Sequence, residues 1–95
     1  MDPRELELEF LKIDLGFMEP DAATQRYMEH CLDTARLELG EKGIDLIEEK
    51  SDDLSLVVMY AAWLYRKRDG SGAMPEMLRY SINNHKTRMT RRAAR

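Results

Sequence analysis

"SDDLSLVVMYAAWLYRKRDG", residues 51–70, decides the fold of this chain. From Leu54 to Tyr65 there is no charged residue, in a chain of 95 residues of which 35% are charged. The acids Asp52 and Asp53 precede the run and Arg66, Lys67 and Arg68 follow it. That order suits a helix, with acids at its positive end and bases at its negative end, and Ser51 or Asp52 as its cap. The twelve uncharged residues would span only about 18 Å as a helix, against the roughly 30 Å of a bilayer's hydrocarbon core, so the run is not a membrane span. A helix that is apolar on nearly every side is one that other helices surround. Trp63, Tyr60, Tyr65 and Met59 cannot all face the same neighbour, so part of this helix is expected to pack against another copy of the chain.

The flanking sequence supplies the surrounding helices. Asp2-Pro3 is a helix start, and Leu6, Leu8, Phe10, Leu11, Ile13 and Leu15 give a first helix its apolar set before Gly16 ends it. In "GFMEPD" Pro20 breaks the chain and Asp21 caps a second helix. There Ala23, Tyr27, Cys31, Ala35 and Leu39 step by four beside Met28 and Leu32, while Gln25, Arg26, Glu29, Asp33 and Arg36 take the other side. Gly40 or Gly43 ends it. The segment 44–50, "IDLIEEK", fits a helical turn or an extended piece equally well. After "DGSGAM", Pro75 opens a fourth helix, "PEMLRYSINN", with Met77, Leu78 and Ile82 as its apolar side. No stretch alternates like a strand. The expected class is all-α: a compact bundle of about four helices with a long apolar third helix, occupying residues 1–84, and a basic C-terminal tail at 85–95.

Ninety-five residues make one domain, and hydrophobic residues at 43% with a net charge of −3 place it among globular chains. A single cysteine, Cys31, allows no internal disulfide and suits a reducing compartment. The start "MDPRELELEF" lacks the basic end and apolar run of a secretory signal, so a soluble protein is expected. Charge is divided along the chain. Residues 1–53 hold 16 acids and 6 bases, residues 54–95 hold 2 acids and 9 bases, giving −10 and +7. Such a division suits head-to-tail contact between copies, or internal neutralisation of one half by the other.

Motifs for chemistry are absent from the sequence. His30 and Cys31 are adjacent and point about 100° apart on a helix, so they are not a ligand pair. His85, the other histidine, falls beyond the expected fourth helix. Cys31 lies on an apolar face, where a buried thiol is the reading. "DGSGAMP" lacks the lysine and strand context of a phosphate loop. Glu5, Glu7 and Glu9 read as a solvated face, and Glu48, Glu49, Asp52 and Asp53 as a cluster around a helix start. No catalytic residue, cofactor or metal is expected, and the chain does not read as an enzyme. In the tail, Arg88, Arg91, Arg92 and Arg95 make one basic stripe if helical; it suits a solvated end, an acidic protein surface or nucleic acid.

The run "LSLVVMYAAWLYRKRDG", a glycine-containing break and then "AMPEMLRYSINNHK" resemble the small head-tail connector proteins of tailed bacteriophages, also called adaptor or head-completion proteins. "LEFLKIDLG" is similar to the family's short first helix, and an Asp-initiated second helix follows. Leu64, Tyr65 and Arg68 match its Leu-Tyr-x-x-Arg ending, and Met74, Pro75, Met77, Leu78, Arg79 and Asn83 its proline-led segment. The resemblance spans residues 6 to 84, and the order and spacing of four parts carry it. "EEKSDD" stands where a proline often precedes the family's apolar helix, and the tail beyond Asn84 lies outside the resemblance. It implies a virion assembly protein of the head-tail junction, made in the bacterial cytoplasm. About a dozen copies would form a ring under the portal protein, facing a tail or stopper protein, with DNA passing through unread and no membrane involved. Val58, Tyr60, Trp63 and Tyr65 are then the candidate core or inter-subunit surface, and Arg88, Arg91, Arg92 and Arg95 the candidate partner contact. Two other readings stay open: a small DNA-binding regulator using the fourth helix and tail, and a generic helical interaction module.

Overall fold

The structure, a computed structural model, describes residues 2–46, 51–69 and 72–93. Four helices, α1 (Pro3–Leu15), α2 (Ala22–Glu41), α3 (Ser51–Arg66) and α4 (Glu76–Ala93), make up a compact all-α bundle, with a 3-10 turn at Lys67–Asp69 closing α3. No strand occurs among the described residues.

Local chemistry sets the helix ends. Asp2 Oδ1 accepts from the Glu5 N–H at 2.9 Å with Pro3 at the first helical position, and Asp21 Oδ1 accepts from the Thr24 N–H at 2.7 Å. Both are side-chain N-caps. Gly16 sits at φ 80° and Gly43 at φ 87°, and each closes a helix with the same pair of bonds. Phe17 N–H reaches Lys12 O and Gly16 N–H reaches Ile13 O; Ile44 N–H reaches Leu39 O and Gly43 N–H reaches Gly40 O. Of the two glycines that could end α2, Gly43 is the one in the left-handed turn. Ile44, just beyond it, is buried with Leu39, the hydrophobic clasp that accompanies this cap. Residues 44–46 are not helical, and 47–50 lie outside the described residues. α3 begins at Ser51, and the capping expected of Ser51 or Asp52 falls at its junction with residues 47–50, outside the described residues.

At the centre is α3. Leu54, Leu56, Val57, Val58, Tyr60, Ala61, Ala62, Leu64 and Tyr65 are all buried, against Leu8 and Leu11 of α1, Met28, Cys31, Leu32, Ala35 and Leu39 of α2, and Leu78 and Ile82 of α4. The residues left open or half-open, Asp52, Ser55, Met59, Trp63 and Arg66, fall on one narrow stripe at helical spacing. Within one chain α1, α2 and α4 therefore cover α3 on every side but this stripe.

The other apolar faces need smaller corrections. On α1 the buried arc is Leu8 and Leu11, while Phe10 and Ile13 are exposed. On α2, Ala23 is exposed and the core face begins at Met28. On α4, Met77 is exposed and Leu78 and Ile82 are buried. The fourth helix also runs on through Ala93, with His85 inside it. No glycine or proline interrupts residues 76–93, and two side chains bond back one turn, Thr87 Oγ1 to Asn83 O at 3.0 Å and His85 Nδ1 to Ser81 O at 2.9 Å.

Candidate interaction surface

The four residues singled out on the third helix occupy different surroundings. Val58, Tyr60 and Tyr65 are buried inside the chain. Trp63 lies on the half-open stripe, packed edge-on against Tyr60 with ring centroids 5.4 Å apart, and Lys67 Nζ sits 4.2 Å from its centroid. Tyr65 joins an aromatic cluster with Phe17 at 5.7 Å and Tyr27 at 5.4 Å, capped by the Arg68 guanidinium at 4.1 Å. Burial, reinforced by the carboxylates of Glu38 and Glu41, pushes the Tyr60 phenol above its ordinary range, so it stays neutral.

Three ion pairs join the acidic first half of the chain to the basic second half among the described residues. Arg66 Nη2 reaches Asp14, at 3.2 Å from Oδ1 and 2.9 Å from the backbone oxygen. Arg88 Nη1 lies 3.0 Å from Asp52 Oδ2, and His85 Nε2 lies 3.0 Å from Asp53 Oδ1. One member of the candidate partner stripe, Arg88, is thus engaged inside its own chain. Arg91 and Arg92 lie on α4, where their side chains are outside the described residues, as is Arg95 altogether.

The outward side of α4 carries Met77, Arg79, Tyr80, Asn83, Lys86 and Thr87, all exposed. Met77 and Tyr80, three residues apart and therefore neighbours, are 77% and 68% exposed, and Arg79 and Lys86 give this face positive charge. Opposite in sign are the exposed acids of α1 and α2, among them Glu5, Glu9, Asp33 and Glu41.

Three buried polar residues escaped the pattern of the sequence. Glu7, grouped with a solvated face by its alternation with Glu5 and Glu9, is fully buried: its carboxylate meets the Arg36 guanidinium, with Arg4 Nη1 at 3.8 Å. Arg4 also pairs with Asp33 of α2, so α1 is tied to α2 by charge along this edge. A signal existed, because Glu7 lies one turn before Leu11 and beside Leu8, on the buried arc. His85 has the same kind of signal, one turn beyond Ile82 and two beyond Leu78. Its partner Asp53, grouped with the acids around a helix start, is 5% exposed.

Around His85 the geometry restricts the chemistry. Nδ1 donates to the Ser81 carbonyl and Nε2 faces the Asp53 carboxylate, so both ring nitrogens are engaged within the fold. The Nε2 approach is close, but its direction does not make a hydrogen bond. The small cleft beside it, about 160 Å³, is lined by Asp52, Ser55, Met59, Ser81, Asn84 and Arg88 as well. A second groove of about 180 Å³ lies between α2 and the end of α3, lined by Tyr27, His30, Cys31, Thr34, Lys67 and Arg68. Burial pushes the Cys31 thiol up, away from the reactive thiolate, and burial together with that thiol raises Tyr27. No group of three metal-ligating side chains occurs among the described residues, and no described helix is long and apolar enough to cross a membrane. No family model, curated protein or solved structure matches this chain.

Proposed function

We propose that this chain is a structural subunit of a phage head-tail connector, which joins copies of itself head-to-tail in a ring beneath the portal and offers the tail a platform. The observation that carries the reading is the opposition of surfaces: a basic, partly apolar outer face on α4 against an acidic outer face on α1 and α2, in a chain whose helix order resembles that family over residues 6–84. A heterologous contact between two such faces repeats around a ring and closes by rotation. The work is assembly and needs no chemical step. Light scattering after size-exclusion chromatography, with the chain alone and mixed with a portal ring, tests this. Entry of the chain into the portal complex, or a mass near a dozen subunits, supports it; a monomer or dimer that ignores the portal refutes it.

One observation favours a second reading. α4 is a continuous helix of 18 residues bearing Arg79, Lys86, Arg88, Arg91 and Arg92, the composition of an element that lies on phosphates. A DNA-binding regulator predicts affinity for duplex DNA that drops steeply with added salt, and absent or salt-insensitive binding in a gel-shift assay removes it.

A further inference from the structure

The outward faces of α1 and α4 are built on one plan. Around α1, at about 100° per residue, Glu5, Glu9, Ile13 and Phe10 follow one another, all exposed. Around α4, in the same rotational sense, Arg79, Asn83, Tyr80 and Met77 follow one another, again exposed. Each face runs from a charged flank to an apolar pair three residues apart. The flank is acidic on α1 and basic on α4. Phe10 and Ile13 are 45% and 73% exposed, so they form a small apolar crest like that of Met77 and Tyr80. Glu76, the acid of α4, sits in its first turn, at the end of the face away from Asn83. Glu9 touches Lys12 of its own helix at 3.3 Å, an open pair that water weakens and a second cation can displace.

These orders select a partner and a direction. Two α4 faces laid together oppose Arg79 to Arg79, and two α1 faces oppose acid to acid, so charge disfavours a contact between like faces. Leu37 on α2 stands singly, with Asp33 one turn away already paired to Arg4. An α1 face against an α4 face matches apolar to apolar and acid to base. If the two helices run parallel, their orders meet reversed, and the acids fall against Met77. If they run antiparallel, the orders stay in step. With Phe10 level with Met77, Glu9 lies about 1.5 Å and Arg79 about 3 Å along the axis from that level, in the same direction.

We propose that the contact between copies is α1 of one copy lying antiparallel on α4 of the next, Phe10 and Ile13 against Met77 and Tyr80 and Glu9 against Arg79; this rests on the reading that copies join head-to-tail. The two faces differ, so the contact is heterologous, and one copy offers α4 to a neighbour while its own α1 receives another.

The test is intermolecular paramagnetic broadening in NMR. A nitroxide is attached at the exposed position 87 in a Thr87→Cys chain, in which the native Cys31 is buried. This chain is mixed with isotope-labelled wild type at low salt and about 1 mM, where a contact of millimolar Kd is substantially formed. Position 87 lies beyond Tyr80 toward the C-terminal end of α4, so amides 3–9 of the wild-type chain should broaden more than amides 13–15, and those of its α4 least. Arg79→Glu in the nitroxide chain should reduce the broadening by about threefold or more, and Glu9→Arg in the observed chain should restore it. Both sites are exposed, and helical circular dichroism checks that the fold is kept. Broadening that is absent, that falls on α4 or that favours residues 13–15 overturns the contact, as does a loss that the reversed pair fails to restore. A chain that enters the portal complex without this broadening keeps the connector reading and removes the α1–α4 contact; one that shows the broadening and ignores the portal does the reverse.

Discussion

Replacing Arg36 by alanine should damage the fold more than replacing its buried partner Glu7 by glutamine. The Glu7 side chain is fully buried, whereas that of Arg36 keeps 26% of its surface in water. Removing the guanidinium strands a carboxylate that cannot reach solvent, with Arg4 Nη1 3.8 Å away and too distant for a hydrogen bond. Breaking a fully buried pair from one side costs about 3–5 kcal/mol, and the partial exposure of Arg36 together with help from Arg4 reduces that to about 2–3 kcal/mol. In a chain of this size urea slopes are about 1–1.5 kcal/mol per molar, so the midpoint should drop by roughly 2 M. Glu7→Gln removes the charge but keeps an acceptor for Arg36, and the guanidinium can turn to water; its cost should be about 1 kcal/mol. The decisive variant carries both changes. If the stranded charge is the damage, Arg36→Ala combined with Glu7→Gln is more stable than Arg36→Ala alone. Urea unfolding followed by helical circular dichroism and by the single tryptophan measures all three. A double variant whose loss is the sum of the two single losses would refute the argument.

Three further outcomes follow from local geometry. Gly43→Ala places a Cβ at φ 87°, with open space around it but a backbone unsuited to L side chains, and should cost about 1 kcal/mol, seen as a melting temperature lower by about 5 °C. Cys31, buried and shifted toward the thiol, should resist alkylation at pH 8 in the folded chain and react promptly in denaturant; equal rates would contradict its burial. The Thr24 N–H holds the Asp21 carboxyl below its ordinary value, so the cap's contribution is complete above about pH 4 and is lost as pH falls through the folded-state value. Asp21→Asn, which keeps an acceptor but no titrating group, should therefore flatten the acid limb of a stability-against-pH curve, and an unchanged limb would assign it to other carboxylates.

What could be read in the sequence was whatever is decided within one turn of chain. Asp2-Pro3, Asp21 and Gly16 act through hydrogen bonds to residues three to five positions away, and the sequence places them correctly. The all-round apolarity of residues 54–65 likewise announces a central helix. What failed was the choice between arcs. Leu6, Leu8, Phe10, Leu11, Ile13 and Leu15 allow two overlapping faces, and the winner is set by Arg36, 29 residues away, which draws Glu7 and its neighbours Leu8 and Leu11 inward. Met77 and Leu78 pose the same choice, settled by Ile82 and His85 lying on the arc of Leu78. The candidate surface was less legible still. Arg88 reads as one of a free stripe until Asp52, 36 residues earlier, is seen beside it, and no local signal encodes a pairing of that range.

The burial of α3 also changes what self-association would require. With Val58, Tyr60 and Tyr65 consumed inside the chain, the large exposed apolar side chains among the described residues fall in small separate sets: Phe10 and Ile13 on α1, Met18 after it, Tyr27 and Leu37 on α2, and Met77 and Tyr80 on α4. A stable interface buries about 800 Å² on each partner around a desolvated centre, and pairs of side chains like these supply only a fraction of such a centre. Charge opposition between α4 and the acidic outer faces adds orientation and encounter rate more than affinity, and salt screens it. The connector reading therefore carries a corollary: contacts between neighbours are individually weak, and a ring closes when a symmetric template holds many copies at once, raising their effective concentration. An isolated chain that is monomeric at micromolar concentration yet saturates a portal cooperatively fits that logic. A salt-resistant dimer would instead demand an apolar interface larger than these separate sets of described residues provide.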